Sequence, residues 1–143
     1  MKTVLVAGTF DFLHRGHLYF LEQAKRYGDH LVVIIARDST VKKIKGRAPI
    51  HTEKERQALV ASIRIVNRAV LGDETDPYKI IARLRPQVIC LGYDQTHAFA
   101  RGLADALKRR HFNTRIVTLK PFHQKRLKST RLRERRTHIG TKP

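Results

Sequence analysis

Apolar residues recur along the chain with two different periods, and the alternation of those periods predicts an α/β fold. Short apolar runs are typical of buried strands, whereas apolar residues spaced three to four apart are typical of helices. The predicted strands span residues 3–7, 30–36, 67–71, 87–91 and 114–119, and the predicted helices 16–27, 38–44, 53–63, 77–84, 97–110 and 129–136. Strands that alternate with helices favour a parallel sheet with right-handed crossovers. We therefore expect a single doubly wound, Rossmann-like parallel sheet of about five strands flanked by helices.

The turn after the first strand has the composition of a phosphate-binding site. Apolar residues 4–7 run into Gly8-Thr9, and an H-x-G-H group, His14 to His17, follows where a helix should begin. Ligands bind at the carboxyl ends of strands in open α/β sheets, and a helix N-terminus offers N–H donors to an anion. Gly16 has no side chain, which permits a nucleotide to lie close to the backbone. Two imidazoles three positions apart then reach one phosphate group, as catalysis by positioning and charge stabilisation requires.

Residues 8–17, GTFDFLHRGH, resemble the G-T-F-D-x-x-H-x-G-H motif of the cytidylyltransferase-like nucleotidyltransferases. The likeness continues in residues 18–25, 33–38 and 91–95, and together these segments look most like the archaeal FAD synthases, which transfer AMP from ATP to FMN. It covers roughly residues 1–120. The resemblance implies a nucleotidyltransferase domain over residues 1–120 and a basic tail, residues 121–143, whose short helix completes the phosphate site.

The resemblance also implies roles for individual residues. The expected catalytic residues are His14, His17 and Lys42. The expected nucleotide contacts are Gly8, Thr9, Phe10, His14, Gly16, His17, Gly92, Asp94, Ser129 and Thr130. The expected contacts to the acceptor are Asp11, Lys42, Arg56 and Tyr93, and Tyr93 also offers a ring for stacking on a flat acceptor. Mg²⁺ or another divalent cation is expected with the nucleoside triphosphate. Asp94 suits a contact to a hydroxyl group or to a hydrated magnesium ion, and no residue is assigned as a direct metal ligand.

Simpler interpretations of these residues remain open at the level of sequence. The two histidines would suit a metal ion, although no third ligand stands at a recognisable spacing. Lys42 also fits a surface lysine, and Arg56 fits an ion pair with Glu53 on a helix surface. Turn chemistry alone accounts for glycine and aspartate at residues 92–94.

The proposed phosphate segment in the tail is the weakest match to the family. Relatives often carry an I-S-T-T-like segment at the start of a late helix. Here the segment is Lys128-Ser129-Thr130-Arg131, in which no isoleucine precedes Ser129 and Arg131 replaces the second threonine. Ser129 also suits a helix N-cap that touches no ligand.

Charge is concentrated at the end of the chain. The net charge is +18, of which residues 108–143 carry +12. A positive field steers anionic substrates, lysines and arginines also neutralise nucleic-acid phosphates, and a basic run is often only a solvated surface. All three explanations are compatible with the sequence.

Length and cysteine content indicate a small enzyme of a reducing compartment. The 143 residues suit one domain, and the single cysteine, Cys90, lies in an apolar run as a buried core thiol would. The longest apolar run, residues 31–36, is far shorter than the roughly 20 residues that span a bilayer. We therefore expect a cytoplasmic protein without a membrane segment, and the resemblance implies a homodimer.

The function that these patterns favour is transfer of AMP from ATP to FMN, with FAD and pyrophosphate as products. The first alternative is the same chemistry with CTP and a small phospho-alcohol such as glycerol 3-phosphate. The second alternative is a nucleic-acid-binding module that retains the fold but does not catalyse the reaction.

Overall fold

The computed structural model describes residues 1–92 and 98–121, with backbone alone for residues 98–101. The strands are β1 (Thr3–Gly8), β2 (His30–Ile35), β3 (Arg68–Leu71), β4 (Val88–Leu91) and β5 (Arg115–Thr118). The helices are α1 (Arg15–Lys25), α2 (Asp38–Lys45), α3 (Glu53–Ala61), α4 (Lys79–Leu84) and α5 (Ala98–Arg109). Each element predicted before residue 120 is present, with its ends within two residues of the prediction. The predicted helix at 129–136 lies outside the described residues.

The five strands form one parallel sheet in the order β3-β2-β1-β4-β5. The chain winds from β1 outward to β3 and then crosses back to β4, so that β1 lies between β2 and β4. This order confirms the doubly wound α/β fold. It also places a topological switch point between β1 and β4, where ligands bind in open sheets of this kind.

Two apolar layers cover the two faces of the sheet, because neighbouring side chains of a strand point to opposite faces. Val4 and Val6 of β1 belong to the layer that also contains Leu21 of α1 and Val60 of α3. Leu5 lies in the other layer, which contains buried residues of α4 and α5, among them Ile81 and Leu103. Helices α1 and α3 therefore cover one face of the sheet, and α4 and α5 cover the other.

Cys90 lies in β4 and is fully buried, as the apolar run around it predicts. Burial raises the pKa of its thiol to about 11, so that the thiol stays protonated at neutral pH. Within the residues that the structure describes, no helix has both the length and the apolar character that crossing a bilayer requires.

Candidate active site

The two histidines of the H-x-G-H group cap the N-terminus of α1. His14 is the N-cap residue, and its Nδ1 accepts a hydrogen bond from the backbone N–H of Gly16 at 3.0 Å. The capping is reciprocal, because the Nδ1 of His17 accepts a hydrogen bond from the backbone N–H of His14 at 3.2 Å. The two ring centroids lie 4.0 Å apart. The sequence predicts histidines at a helix start, but it does not show that they satisfy the first N–H groups of that helix.

This capping arrangement fixes the position of the proton on each imidazole. A neutral imidazole whose Nδ1 accepts a hydrogen bond carries its proton on Nε2. Burial lowers the pKa of His14, which favours the neutral ring at pH 7. In their neutral forms both rings therefore carry an Nε2–H donor beside the positive end of the α1 dipole, as binding of a phosphate requires.

Aromatic packing accounts for two of the glycines in this turn. Phe10 has a φ of +54° and is buried, and its ring centroid lies 5.5 Å from that of His17. A Cβ atom on Gly8 would lie 2.7 Å from the Phe10 ring, and one on Gly16 would lie 2.8 Å from the His14 ring. Gly8 and Gly16 are therefore required where these rings approach the backbone, whether or not a nucleotide is bound. Because the ring of Phe10 is buried, only its backbone suits the expected nucleotide contact.

Asp11 holds the loop before α3 against the motif. Its carboxylate accepts hydrogen bonds from the backbone N–H groups of Ile50 and His51, each at 2.9 Å. The ring Nδ1 of His51 lies 2.7 Å from the carbonyl oxygen of Asp11. Burial acts to raise the pKa of Asp11, but the hydrogen bonds from His51 and Ile50 outweigh it and hold the pKa below its usual value. The structure thus uses this carboxylate within the protein, whereas the sequence predicts a contact to the acceptor.

Arg56 occupies a different position from the one expected of an acceptor contact. Its side chain is fully buried and donates to the carbonyl oxygens of Thr9 at 2.8 Å and His51 at 3.0 Å, and to Asp38 at 2.7 Å. The ion pair with Asp38 replaces the pair with Glu53 that the sequence alternative suggests. Arg56 therefore positions the turn after β1, the start of α2 and the loop before α3.

Glu53 extends this network to the third strand. Its carboxylate accepts from the backbone N–H of Asp38 at 2.8 Å and from Arg37 at 2.9 Å, and the hydrogen bond from Asp38 is the main reason that its pKa is lowered. Arg37 in turn donates to the carbonyl oxygen of Gly72, which follows β3, at 2.7 Å. Charged side chains thus connect the carboxyl ends of β1, β2 and β3.

The structure describes only some of the remaining predicted site residues. Lys42 is exposed on α2, and Gly92 is half-buried directly after β4. Tyr93, Asp94, Ser129 and Thr130 lie outside the described residues, as does the tail from residue 122. His51 is a residue that sequence reasoning missed, because no motif contains it and its role depends on how the loop folds back on Asp11.

The donor set of the site suits an anion rather than a metal ion. The Nδ1 atoms of His14 and His17 already accept backbone hydrogen bonds. Within residues 1–92 and 98–121, no group of three His, Cys, Asp or Glu side chains is arranged to hold a metal ion.

Comparison with known proteins places this chain in a family. The family model described as cytidylyltransferase-like matches residues 5–135. The chain therefore belongs to the cytidylyltransferase-like family, a family of nucleotidyltransferases. It is 46% identical over 125 residues to an FAD synthase of Methanohalophilus mahii, a match that covers 87% of this chain and 85% of the relative. An FAD synthase of Aciduliprofundum boonei is 41% identical over 131 residues, covering 92% and 87% of the two chains.

Solved structures agree with the fold. A lipopolysaccharide core biosynthesis protein of Thermoplasma volcanium is 38% identical, with a TM-score of 0.79 over 85% of this chain and 98% of that one. A protein of unknown function from Archaeoglobus fulgidus shares the fold at 19% identity, with a TM-score of 0.63 over 84% of this chain and 90% of that one. The family match also extends past residue 120, where the likeness noted in the sequence ends, and includes residues 129 and 130.

Proposed function

We propose that this nucleotidyltransferase is an FAD synthase, which transfers AMP from ATP to FMN and releases pyrophosphate. The observation that carries the proposal is its 41–46% identity to FAD synthases over at least 84% of the chain. The capped H-x-G-H helix supports it with a site whose donors suit a phosphate group.

In the proposed reaction a phosphate oxygen of FMN attacks the α-phosphorus of ATP in line. The new P–O bond forms as the bond from the α-phosphorus to the bridging oxygen breaks, and pyrophosphate leaves with that oxygen. The attacking phosphate is already an anion, so no protein group has to remove a proton from it. The Nε2–H donors of His14 and His17, the N-terminus of α1 and the cation of Lys42 stabilise the negative charge on the phosphorus oxygens.

A divalent cation, Mg²⁺ in our proposal, accompanies the triphosphate as part of the substrate. Phosphate oxygens and water suit Mg²⁺ as ligands. The cation supplies neutralisation of charge on the β- and γ-phosphates, while the histidines act on the α-phosphate.

We place the nucleotide on the β4 side of the motif. In this proposal Gly8, Thr9 and Phe10 contact it through the backbone, Gly16 and Gly92 permit its close approach, and Asp94 holds a hydroxyl group. Tyr93 contributes to the acceptor site where that site borders the nucleotide, Arg56 and Asp11 support the acceptor site from within the protein, and the tail, residues 121–143, completes the phosphate site.

Ser129 and Thr130 are assigned to the β- and γ-phosphates, which the extent of the family match supports. We expect the double variant Ser129→Ala, Thr130→Val to raise the KM for ATP about tenfold or more, because two hydroxyl donors are removed. Thr137→Val is the matched control within the tail and should leave the KM unchanged. An unchanged KM in the double variant would assign residues 129 and 130 to the solvated tail.

A panel of substrates tests the proposed function against its alternatives. Pyrophosphate release is measured with ATP and with CTP, each in combination with FMN and with glycerol 3-phosphate. The proposal predicts release with ATP and FMN, accompanied by FAD. Release with CTP and glycerol 3-phosphate alone would establish the cytidylyltransferase alternative. No release together with salt-dependent RNA binding would establish the nucleic-acid-binding alternative.

We also propose that the protein acts as a homodimer in the cytoplasm and that its partners are the small-molecule substrates rather than a nucleic acid. Light scattering on the purified protein checks the homodimer, since a mass of about 33 kDa is expected from two chains of 16.5 kDa.

A further inference from the structure

Two large apolar side chains are exposed beside the phosphate site. Phe12, within the motif, is 56% exposed, and Ile50, in the loop before α3, is 73% exposed. His51 joins them, because its ring lies edge-on to the Phe12 ring with centroids 5.2 Å apart. These three side chains, Phe12, Ile50 and His51, are called the Phe12 platform below.

The backbone beneath the Phe12 platform is held firmly. Asp11 accepts hydrogen bonds from the backbone N–H groups of both Ile50 and His51, and the His51 ring contacts the carbonyl oxygen of Asp11. Arg56 fixes the same loop through the carbonyl oxygen of His51. The exposed side chains therefore stand on an ordered support, which lowers the entropic cost of binding a ligand.

The Phe12 platform lies within reach of the phosphate site. Phe12 is two residues from His14, so their Cα atoms are at most about 7 Å apart. Arg56 and Asp38 join the loop of Ile50 and His51 to the end of β2. The platform thus adjoins the β2 side of the motif, whereas the switch-point crevice for the nucleotide opens on the β4 side.

In-line transfer makes the β2 side the natural position of the acceptor. The attacking oxygen and the leaving pyrophosphate stand on opposite sides of the α-phosphorus. If the pyrophosphate part of ATP lies on the β4 side of the α-phosphorus, the acceptor approaches from the β2 side, where the exposed apolar residues lie.

We propose that the isoalloxazine ring of FMN lies against Phe12 and Ile50, with its phosphate next to the α-phosphate of ATP, on which His14 and His17 act. This inference rests on the proposed function and deepens it by naming the surface that selects a flavin. The five-carbon ribityl chain of FMN links the phosphate to the ring, and a flat ring with an apolar edge matches an aromatic and an aliphatic side chain. Glycerol 3-phosphate has no ring and makes no use of this surface.

Equilibrium binding of FMN, followed by quenching of flavin fluorescence, tests the inference without requiring turnover. We expect Phe12→Ala to raise the Kd for FMN about tenfold and Ile50→Ala to raise it a few-fold, because each removes apolar contact area. Phe12→Tyr keeps the ring and should bind FMN as the wild type does. Leu59→Ala is the matched control, because Leu59 is an exposed apolar residue of α3 outside the platform.

Kinetic constants provide the second readout. Phe12→Ala should raise the KM for FMN while the KM for ATP stays unchanged, since the nucleotide lies on the other side of the motif. Unchanged FMN affinity in Phe12→Ala would overturn the inference. A change from dimer to monomer in that variant, with unchanged FMN affinity, would also overturn it and assign Phe12 to the contact between two copies of the chain.

The outcomes separate this inference from the proposed function. A wild-type protein that binds FMN but forms no FAD, and loses FMN affinity in Phe12→Ala, would refute the synthase activity and retain the flavin site. A wild-type protein that forms FAD and tolerates Phe12→Ala would retain the activity and refute the Phe12 platform as its flavin site.

Discussion

At the scale of single residues, the hydrogen bonds of His14 and His17 link the helix cap to the catalytic role that we propose for these two residues. Each Nδ1 accepts a backbone N–H at the start of α1, and each neutral ring is left with its proton on Nε2. The sequence predicts both histidines at a phosphate site because the H-x-G-H group follows a strand. It cannot predict the cap, since that depends on the rotamers and on the extended backbone of His14.

A pair of variants separates the capping role of His14 from its proposed catalytic role. Asparagine is a favoured N-cap residue, so His14→Asn should keep the stability of the protein, whereas His14→Ala should cost about 1 kcal/mol. Both variants lose the Nε2–H donor and should lower kcat/KM about 10²- to 10³-fold. Urea denaturation and steady-state FAD formation measure the two effects. Wild-type turnover in His14→Asn would show that the imidazole does not act on the phosphate.

At the scale of elements, periodicity predicts the helices and strands well and their connections poorly. The start of α1 is known to within one residue because Gly16 and His17 mark it. The contacts of the loop before α3 are not predictable, because they join residues that are distant in sequence, as Asp11 and His51 are. For the same reason the sequence places Arg56 on a helix but does not show that it is buried between three segments.

The variant Arg56→Ala tests whether Arg56 joins the turn after β1, the start of α2 and the loop before α3. Removing one partner of a buried ion pair costs about 3–5 kcal/mol, and Arg56→Ala should fall at the lower end because Asp38 is 38% exposed. The exposed Arg83 of α4 is the control, and Arg83→Ala should change stability by less than about 0.5 kcal/mol. The free energy of unfolding in urea measures both variants. Equal stability of the two variants would contradict the central position given to Arg56.

At the scale of the whole molecule, the alternation of elements predicts a parallel sheet but leaves the order of its strands open. The structure also shows where the exposed positive charge of residues 1–92 and 98–121 lies. Many of these cations stand at the amino ends of strands and the carboxyl ends of helices, on the edge of the sheet away from the H-x-G-H group. They include Arg64, Arg68, Arg83, Arg85, Arg109 and Arg115. Cations at helix carboxyl ends are favourable, so this part of the charge fits a solvated surface better than substrate steering.

The high net charge predicts how stability responds to salt. With +18 charges on 143 residues, self-repulsion opposes the compact state, and salt screens that repulsion. We expect the Tm to rise by about 2–4 °C between about 20 mM and about 200 mM sodium chloride. Thermal unfolding, monitored by circular dichroism at both salt concentrations, measures the Tm. A constant or falling Tm would mean that attractive pairs outweigh the net repulsion.

The central claim is that the α-phosphorus of ATP is transferred to FMN at the capped start of α1. The most direct measurement supplies ATP labelled at the α-phosphate together with FMN, and follows the label by chromatography. The account predicts label in FAD for the wild type, unlabelled pyrophosphate as the second product, and a large loss of labelled FAD in His14→Asn. Label that remains in ATP under these conditions, while labelled CTP gives a labelled product with glycerol 3-phosphate, would contradict the account.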